Sequence, residues 1–251
     1  MVVHVPAGFD PGPPLELVVF LHGFMGCAQV LMADGPAACR SGDREQDGWA
    51  LARHHDAART NSVLVVPQLA FMARSAKPGC FARSGCFDAF IDELIAELRV
   101  RLALPQLNGE RARLTLVAHS GGYQTALAIL ARSRPAQRVQ RVVLMDALYG
   151  GAPELASWLQ RSARRGAQVL SIHLGAGSTR RGSKDLYRRA RRTLGAERVA
   201  DLRAAGLDSA LDGDARLKAK ALLVAQGRGA HRLVPESYLT RVLAAWLPVR
   251  R

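Results

Sequence analysis

The chain has 251 residues, of which 49% are hydrophobic and 22% charged, so it can bury a sizeable core as one domain spanning residues 1–251. Its 23 glycines and 12 prolines are spread along the chain and its apolar runs are short, which excludes collagen-like, low-complexity and membrane-spanning classes. The formal net charge is +14, with −3 on residues 1–93 and +17 on residues 94–251. This excess favours anionic partners, but GC-rich coding is an equally good explanation because only four of the 35 basic residues are lysine.

Strand-like sequence begins at residues 2–5, without the basic segment and apolar core of a signal peptide, so any export signal would lie upstream. The four cysteines form two pairs that are close in sequence, Cys27 with Cys39 and Cys80 with Cys86, in segments that indicate loops. Two disulfides would place the protein in an oxidising compartment, secreted or periplasmic. Four reduced thiols in a cytoplasmic enzyme are the alternative. Neither pair has the spacing of a zinc site, so neither a metal nor a cofactor is expected.

Short runs of Val, Ile and Leu alternate with amphipathic helical patterns along the chain. This alternation predicts an α/β fold, a three-layer α/β/α sandwich around a mostly parallel sheet. The predicted strands are residues 15–21, 62–66, 114–118, 141–146, 168–173 and 221–225. The predicted helices are residues 87–102, 122–131, 154–164, 184–194 and 236–247. Ligands bind at the carboxyl ends of the strands in such sheets, so the residues there are the candidates for function.

The first of these strand ends carries the run His22-Gly23-Phe24. The backbone N–H of Phe24 is expected to point at the space above a nucleophile. Together with the N–H of Gly121 it would form an oxyanion hole. His22 itself is expected to brace this loop and not to act as a base.

The third predicted strand turns directly into a helix in the run Ala118-His119-Ser120-Gly121-Gly122. This spacing is typical of a nucleophile elbow, in which small residues two before and two after the serine let the strand and the helix approach. Alanine stands at position 118, where the motif usually has glycine. The strained turn would hold the Ser120 hydroxyl out to attack a carbonyl. A glycine-rich turn with an N-capping serine is the structural alternative.

The general base is expected in the loop after the last predicted strand, and His231 is the histidine of that loop. Three other histidines are rivals. His54 and His55 precede the serine and are expected on a solvated helix face. His173 lies inside a predicted strand, where a histidine with satisfied core contacts is the usual finding.

The acid that orients the base is expected at a neighbouring strand end. Asp146 ends the fourth predicted strand and is favoured, with Asp185 as the second choice. The alternative for Asp146 is a helix N-cap or a turn residue.

About one helix of sequence, residues 151–166, separates the fourth and fifth predicted strands, so no large cap domain is expected and the site should be open. Candidate pocket walls follow the strand ends or the elbow. They are Phe24, Met25, Phe71, Met72, Tyr123, Leu148, Tyr149 and Trp158. For Trp158 a place in the core is an equally good interpretation.

With the run at residues 22–24, the elbow at 118–122 and the order serine, acid, histidine, residues 3–246 resemble the α/β-hydrolase fold superfamily. The opening at residues 3–10 is also similar to secreted bacterial esterases of the feruloyl-esterase and polyhydroxyalkanoate-depolymerase kind. The resemblance implies a serine hydrolase that cleaves carboxylic esters of a small-molecule substrate. Amidase, peptidase, thioesterase or haloperoxidase chemistry on the same residues is the alternative.

A basic run covers residues 180–192, with seven basic side chains and one acidic one, Asp185. It is interspersed with apolar residues, which predicts a helix with a cationic outer face. A nucleic-acid or anionic-surface binding protein is therefore the second hypothesis. A solvated face is favoured, and no specific nucleic acid is expected, because the chain contains no recognised nucleic-acid motif.

Overall fold

The structure is a computed structural model that describes residues 1–71, 73, 77–105, 107, 109, 111–132, 138–212 and 216–250. The strands in these residues are β1 Val2–His4, β2 Glu16–Leu21, β3 Val63–Val66, β4 Arg113–His119, β5 Val139–Met145, β6 Gln168–His173, β7 Val199–Leu202 and β8 Leu222–Gln226. They form one sheet in the order β1-β3-β2-β4-β5-β6-β8-β7. Strands β2 to β8 pair in parallel, and β1 pairs antiparallel with β3 at the edge.

Helices connect the strands and cover the sheet. They are α1 Ala28–Met32, α2 Leu51–Ala57, α3 Cys86–Arg101, α4 Tyr123–Arg132, α5 Ala152–Ser162, α6 Ser178–Leu194, α7 Ala204–Leu211, α8 Arg216–Ala219 and α9 Val234–Trp246. A 3-10 turn at Ser120–Gly122 joins β4 to α4, and another at His231–Leu233 leads into α9.

Two apolar layers hold the helices on the sheet, because successive side chains of a strand point to opposite faces. In β2, Leu17, Val19 and Leu21 pack with α3 to α6. Val18 and Phe20 of the same strand pack with α1, α2, α7, α8 and α9. Full burial of each such side chain contributes about 1.5–3 kcal/mol. The α/β class and the mostly parallel sheet are therefore as the sequence predicts.

The six predicted strands correspond to β2 to β6 and β8, and the strand-like sequence at residues 2–5 contains β1. The other edge strand, β7, was missed. It has four residues and is partly exposed, so it produces no continuous apolar run. The short helices α1, α2, α7 and α8 were missed for the same reason. Helix α6 begins at Ser178, six residues before the predicted start at 184, because its first turns carry charge and glycine in place of an apolar stripe.

The connection from β5 to β6 consists of α5 and one 3-10 turn, Ala163–Arg165, so no cap domain is inserted there. The carboxyl end of β5 is thus left uncovered by this connection, as the short spacing predicts.

All four cysteines are paired. Disulfides join Cys27 to Cys39 and Cys80 to Cys86, with Cα atoms 5.9 Å and 5.8 Å apart. Disulfides form and persist in oxidising compartments, so this pairing is suggestive of an extracellular location. In the described part of the chain, no helix is both long enough and apolar enough to cross a membrane.

Candidate active site

A cleft of about 1200 Å³ opens at the carboxyl ends of the parallel strands. It gathers residues from four strand ends that are far apart in sequence: the loop after β2 and the turns after β4, β5 and β8. Its lining includes His22, Gly23, Phe24, Met25, Trp49, His119, Ser120, Gly121, Tyr123, Tyr149 and His231, with Arg44, Glu45, Asp47 and Arg232 among the charged members. The cleft therefore contains most of the residues that the strand-end argument selects.

Ser120 lies at the apex of the turn between β4 and α4. Its φ is +53°, in the left-handed region that residues other than glycine rarely adopt, at a cost of about 1–3 kcal/mol. Two residues later, Gly122 lies against the end of β2, where an added Cβ would overlap the carbonyl oxygen of Leu21. The backbone thus has the strain and the close strand-to-helix approach that the elbow motif predicts.

The loop after β2 passes directly beside the serine. A Cβ added to Gly23 would stand 2.7 Å from the Cβ of Ser120, 3.1 Å from its Oγ and 3.0 Å from the backbone nitrogen of Gly121. A side chain at position 23 would therefore clash with the serine turn, so glycine is required for this close approach. The Gly121 nitrogen, one of the two predicted oxyanion donors, lies at this contact.

His22 braces this loop from below. Its Nδ1–H donates to the Gly23 carbonyl at 3.0 Å, and its Nε2 accepts from the backbone N–H of Leu69 at 3.1 Å. Burial lowers the pKa of His22, which is consistent with a neutral ring that uses one nitrogen as donor and the other as acceptor. Gly26 folds over the same ring, with no room for a Cβ beside Nδ1. The contacts are those of the bracing role predicted for His22.

His231 is held by an aspartate from a different strand end. Its Nδ1–H donates to Oδ2 of Asp146 at 2.6 Å. With the proton on Nδ1, the Nε2 atom keeps a free lone pair, which is the state that a general base requires. The side chain of His231 is 40% exposed and lines the cleft, whereas Asp146 is buried behind it.

Asp146 is fixed by two further hydrogen bonds. Its Oδ1 accepts from the Thr179 hydroxyl at 2.5 Å and from the backbone N–H of Leu174 at 3.1 Å. Burial raises the pKa of Asp146, but the hydrogen bonds from His231, Thr179 and Leu174 outweigh it, so the pKa lies below the ordinary value of 3.8. The aspartate is therefore ionised at neutral pH. Its own φ of +46° shows that the turn after β5 is also strained.

Ser120 and His231 line the same cleft, although no hydrogen bond between their side chains is present among the described residues. Catalytic hydrogen bonds are often long in free enzymes and tighten only when substrate binds. Tyr149 lines the same cleft, and its ring lies 6.4 Å from that of His231. Burial and the Asp146 carboxylate raise the pKa of Tyr149, and a hydrogen bond with Ser120 opposes this shift. A neutral phenol thus lies beside the serine.

His119 and Trp49 support the histidine from the side, and sequence reasoning assigned neither a role. The Nε2–H of His119 donates to the carbonyl oxygen of His231 at 3.0 Å, and the two rings lie 4.7 Å apart. The Trp49 ring packs edge-on against His119 at 5.2 Å. Burial lowers the pKa of His119 to about 4, so this ring is neutral and serves as a fixed support.

No sequence signal singles out Trp49, which lies in the segment of residues 33–50 between α1 and α2. Thr179 could have been found, because it follows the β6 end beside the β5 end that carries Asp146. Polar residues at adjacent strand ends in a parallel sheet are expected to meet.

Four of the predicted pocket walls, Phe24, Met25, Tyr123 and Tyr149, line the cleft. Leu148 does not. It is 1% exposed and packs in the core beneath α4 to α6, because the chain turns inward after Asp146. The expectation that Leu148 contacts substrate is corrected accordingly.

The remaining pocket candidates also lie elsewhere. Trp158 is in the core on the same side of the sheet as Leu148. Phe71 packs near the Cys27–Cys39 disulfide with the Arg40 guanidinium 4.0 Å from its ring centre. Met72 lies outside the described residues.

The second choice for the acid and the rival histidines make their contacts outside the cleft. Asp185 lies on the surface of α6, where its carboxylate pairs with Arg189 at 2.8 Å and Arg188 at 3.5 Å. His55 is buried in α2, with Nε2 2.8 Å from the Ser62 hydroxyl, so the expectation of a solvated position for it is wrong. Burial, with the nearby His4, lowers the pKa of His55 to about 4.

His54 is partly buried, and its Nδ1 lies 3.1 Å from the Thr240 hydroxyl on α9. His173 ends β6, outside the lining of the cleft. The structure thus brings His231 alone among these histidines to Asp146 within the described part of the chain.

Within the described ranges, no group of three His, Cys, Asp or Glu side chains is arranged to hold a metal ion. Comparison of the chain with models of protein families, with curated proteins and with solved structures finds no match.

Proposed function

We propose that this protein is a serine hydrolase that cleaves carboxylic esters through an acyl-enzyme intermediate, and that residues 1–251 form one α/β-hydrolase domain. The observation that carries the proposal is the pairing of a strained Ser120 with the His231–Asp146 couple in one cleft. A serine hydroxyl becomes a nucleophile when a base oriented by a third group can take its proton.

The acylation step follows from this arrangement. Substrate binding brings Ser120 Oγ and the Nε2 of His231 together, Oγ bonds to the acyl carbon, and Nε2 takes its proton. The carbonyl oxygen becomes an oxyanion in the space above Ser120, where it accepts hydrogen bonds from the N–H groups of Gly121 and Phe24. When the intermediate collapses, the bond to the leaving oxygen breaks and the alcohol departs with the proton from Nε2.

Deacylation repeats the same chemistry with water. The Nε2 of His231 takes a proton from water as its oxygen bonds to the acyl carbon, and the oxyanion forms in the same space. Collapse breaks the bond to Ser120 Oγ, which recovers its proton from His231. Throughout, the Asp146 carboxylate stabilises the imidazolium and stays ionised, as its lowered pKa requires.

The cleft favours uncharged or short acyl groups near the serine. Phe24 is 59% exposed and Tyr149 is 42% exposed, and with Met25 and Tyr123 they form a partly aromatic wall. Charged residues of the lining belong to the segment of residues 44–47 and to Arg232. An ester of a small acid, or the end of a larger ester, fits this distribution.

The two disulfides support a place of action in an oxidising compartment. We propose a secreted or periplasmic enzyme.

A fluorophosphonate probe tests the nucleophile. We expect it to label the wild-type protein and not Ser120→Ala. The matched control is Ser209→Ala, which removes an exposed hydroxyl on α7 and should leave labelling unchanged. Labelling of Ser120→Ala at the wild-type rate would refute the proposal.

A panel of substrates then separates ester cleavage from related reactions that use the same groups. Purified protein is offered p-nitrophenyl esters of increasing acyl length, thioesters, amides, feruloyl esters and an aliphatic polyester. We expect the highest kcat/KM on oxygen esters. Preference for an amide or a thioester would leave the nucleophile in place and change the reaction class.

The binding-protein hypothesis has weaker support. On α6, Lys184 pairs with Asp201, and Arg188 and Arg189 pair with Asp185, so part of the basic run is neutralised within the protein. Tight, salt-sensitive DNA binding together with no probe labelling would favour that hypothesis instead.

A further inference from the structure

A second cavity, of about 480 Å³, lies at the carboxyl ends of β6, β8 and β7. It shares no lining residue with the Ser120 cleft. His173 and Gln226, which are register partners at the ends of β6 and β8, contribute to its wall, and Arg203 follows the end of β7. Arg180 and Lys184 enter it from α6, one helical turn apart. The cavity therefore occupies the sheet edge at which ligands bind in parallel α/β folds.

The charges around this cavity are unbalanced. Lys184 is paired with Asp201. Arg180 and Arg203 form no ion pair in the described part of the chain, so the lining carries two uncompensated guanidinium groups. Guanidinium groups bind the oxygens of phosphate in a bidentate manner, and two of them match the charge of a dianion.

His173 gives the cavity a hydrogen-bond acceptor in addition to its positive charge. Its Nδ1–H donates to the carbonyl of Leu174 at 2.8 Å, which leaves Nε2 as an acceptor. That Nε2 is buried and has no hydrogen-bond partner among the described residues, and the residue as a whole is 1% exposed. Burial lowers the pKa of His173, which favours this neutral form. An unpaired buried acceptor is costly, so a ligand that donates a hydrogen bond to Nε2 would be stabilised in this cavity.

We propose that this cavity binds a phosphate dianion accompanied by a hydroxyl donor. Arg180 and Arg203 bind the phosphate oxygens, and the hydroxyl donates to Nε2 of His173. Inorganic hydrogen phosphate supplies both features in one group. A phosphorylated small molecule with a neighbouring alcohol supplies the dianion and the hydroxyl donor as two separate groups.

The first test is equilibrium binding of inorganic phosphate, measured by calorimetry at pH 7 and constant ionic strength. We expect the double variant Arg180→Gln/Arg203→Gln to bind at least about tenfold more weakly than the wild type, because two charge-assisted contacts are lost. The control is Arg161→Gln/Arg192→Gln, which removes the same net charge from exposed positions outside the cavity. It should bind phosphate as the wild type does. Equal weakening by both double variants would overturn the proposal, since phosphate would then respond only to the overall charge.

The second test compares ligands on the wild-type protein. Sulfate is a dianion of the same shape without a hydroxyl at pH 7, so it should bind several-fold more weakly than phosphate. Equal affinity for the two would overturn the assignment of His173. Glycerol 3-phosphate distinguishes the sources: tighter binding than phosphate indicates a phosphorylated small molecule, and weaker binding indicates the free ion. Because the readout is binding, its failure is distinguishable from a failure of the proposed hydrolase activity.

Discussion

Replacing Asp146 by asparagine tests the centre of the proposed mechanism. Oδ2 of Asp146 accepts the Nδ1–H of His231 at 2.6 Å, while Oδ1 accepts from Thr179 and from the Leu174 backbone. An asparagine can keep its oxygen on the Oδ1 side, so the side chain should stay in place. Its NH2 group then faces Nδ1, and the ring must move its proton to Nε2 to make a hydrogen bond. A protonated Nε2 cannot take the Ser120 proton.

The expected loss is large because the tautomer is wrong in nearly every molecule. A substitution of this kind in a serine triad lowers kcat by about ten-thousandfold, which corresponds to about 5 kcal/mol of transition-state stabilisation. The assay is steady-state hydrolysis of a p-nitrophenyl ester at pH 7, with the rate of fluorophosphonate labelling as a second measure. Both should fall together, because both need an activated Ser120.

The matched control is Asp185→Asn, which removes the same charge from the surface of α6, where the carboxylate serves Arg188 and Arg189. We expect its kcat and KM to stay within about twofold of wild type, since surface ion pairs contribute little. The assignment of Asp146 as the acid would be refuted if Asp146→Asn kept more than about a tenth of the activity. A severe loss in Asp185→Asn with full activity in Asp146→Asn would identify the other carboxylate as the acid.

Three further predictions concern the same cleft. Gly23→Ala puts a Cβ 2.7 Å from the Cβ of Ser120 and 3.1 Å from its Oγ, so the loop after β2 must move away from the serine. Because this displaces the Phe24 N–H from the proposed oxyanion hole, kcat should fall by about a hundredfold or more. Gly35→Ala, where a Cβ meets nothing within 4 Å, should be silent, and equal activity of the two variants would contradict the placement of the hole. Thr179→Val removes one hydrogen bond to Asp146 and should lower kcat by about tenfold with little change in KM. Thr179→Ser keeps the hydroxyl and should retain the wild-type kcat. A change in KM alone would argue against a positioning role for Thr179. The pKa of Asp146 in the folded state lies below 3.8, so its contribution to the free energy of unfolding is present above that pH and is lost as the pH falls through the lowered pKa. The difference in the free energy of unfolding between wild type and Asp146→Asn, measured by urea unfolding, should therefore shrink below about pH 4. A difference that grows at lower pH would contradict this prediction.

The basic side chains of α6 fall into two groups in the structure, a distinction that the amino-acid composition does not show. The helix α6 carries its basic run along its whole length, yet Lys184, Arg188 and Arg189 are paired with acidic neighbours. Arg180, near the start of the same helix, points into the second cavity instead. The helix also supplies Thr179 to Asp146. One element thus contributes to both sites.

The central elements could be predicted because their signals are local. Strands β2 to β6 and β8 are near-continuous apolar runs, and α3, α4 and α9 have clear apolar stripes. The edge strand β7 and the four short helices have too few buried positions to produce such a period. The elbow at Ser120 was also predictable, since glycine at 122 is a local requirement of the close approach to β2.

By itself, the sequence determined the alternation of strands and helices, the strained serine turn and the set of polar residues at strand ends. Parallel strands present their carboxyl ends at the same edge of the sheet, so the polar residues that follow the strands lie together at that edge. Tertiary structure alone decided which of them meet. Asp146 and not Asp185 reaches His231, 85 positions away, and Leu148 turns into the core. The contact between the tilted rings of His119 and His231 likewise has no sequence signal. The same holds for the His173 nitrogen that has no hydrogen-bond partner among the described residues. The direction of a side chain after a strand depends on the φ and ψ of a few turn residues and on the packing of segments that are distant in sequence. The local sequence pattern determines neither of these.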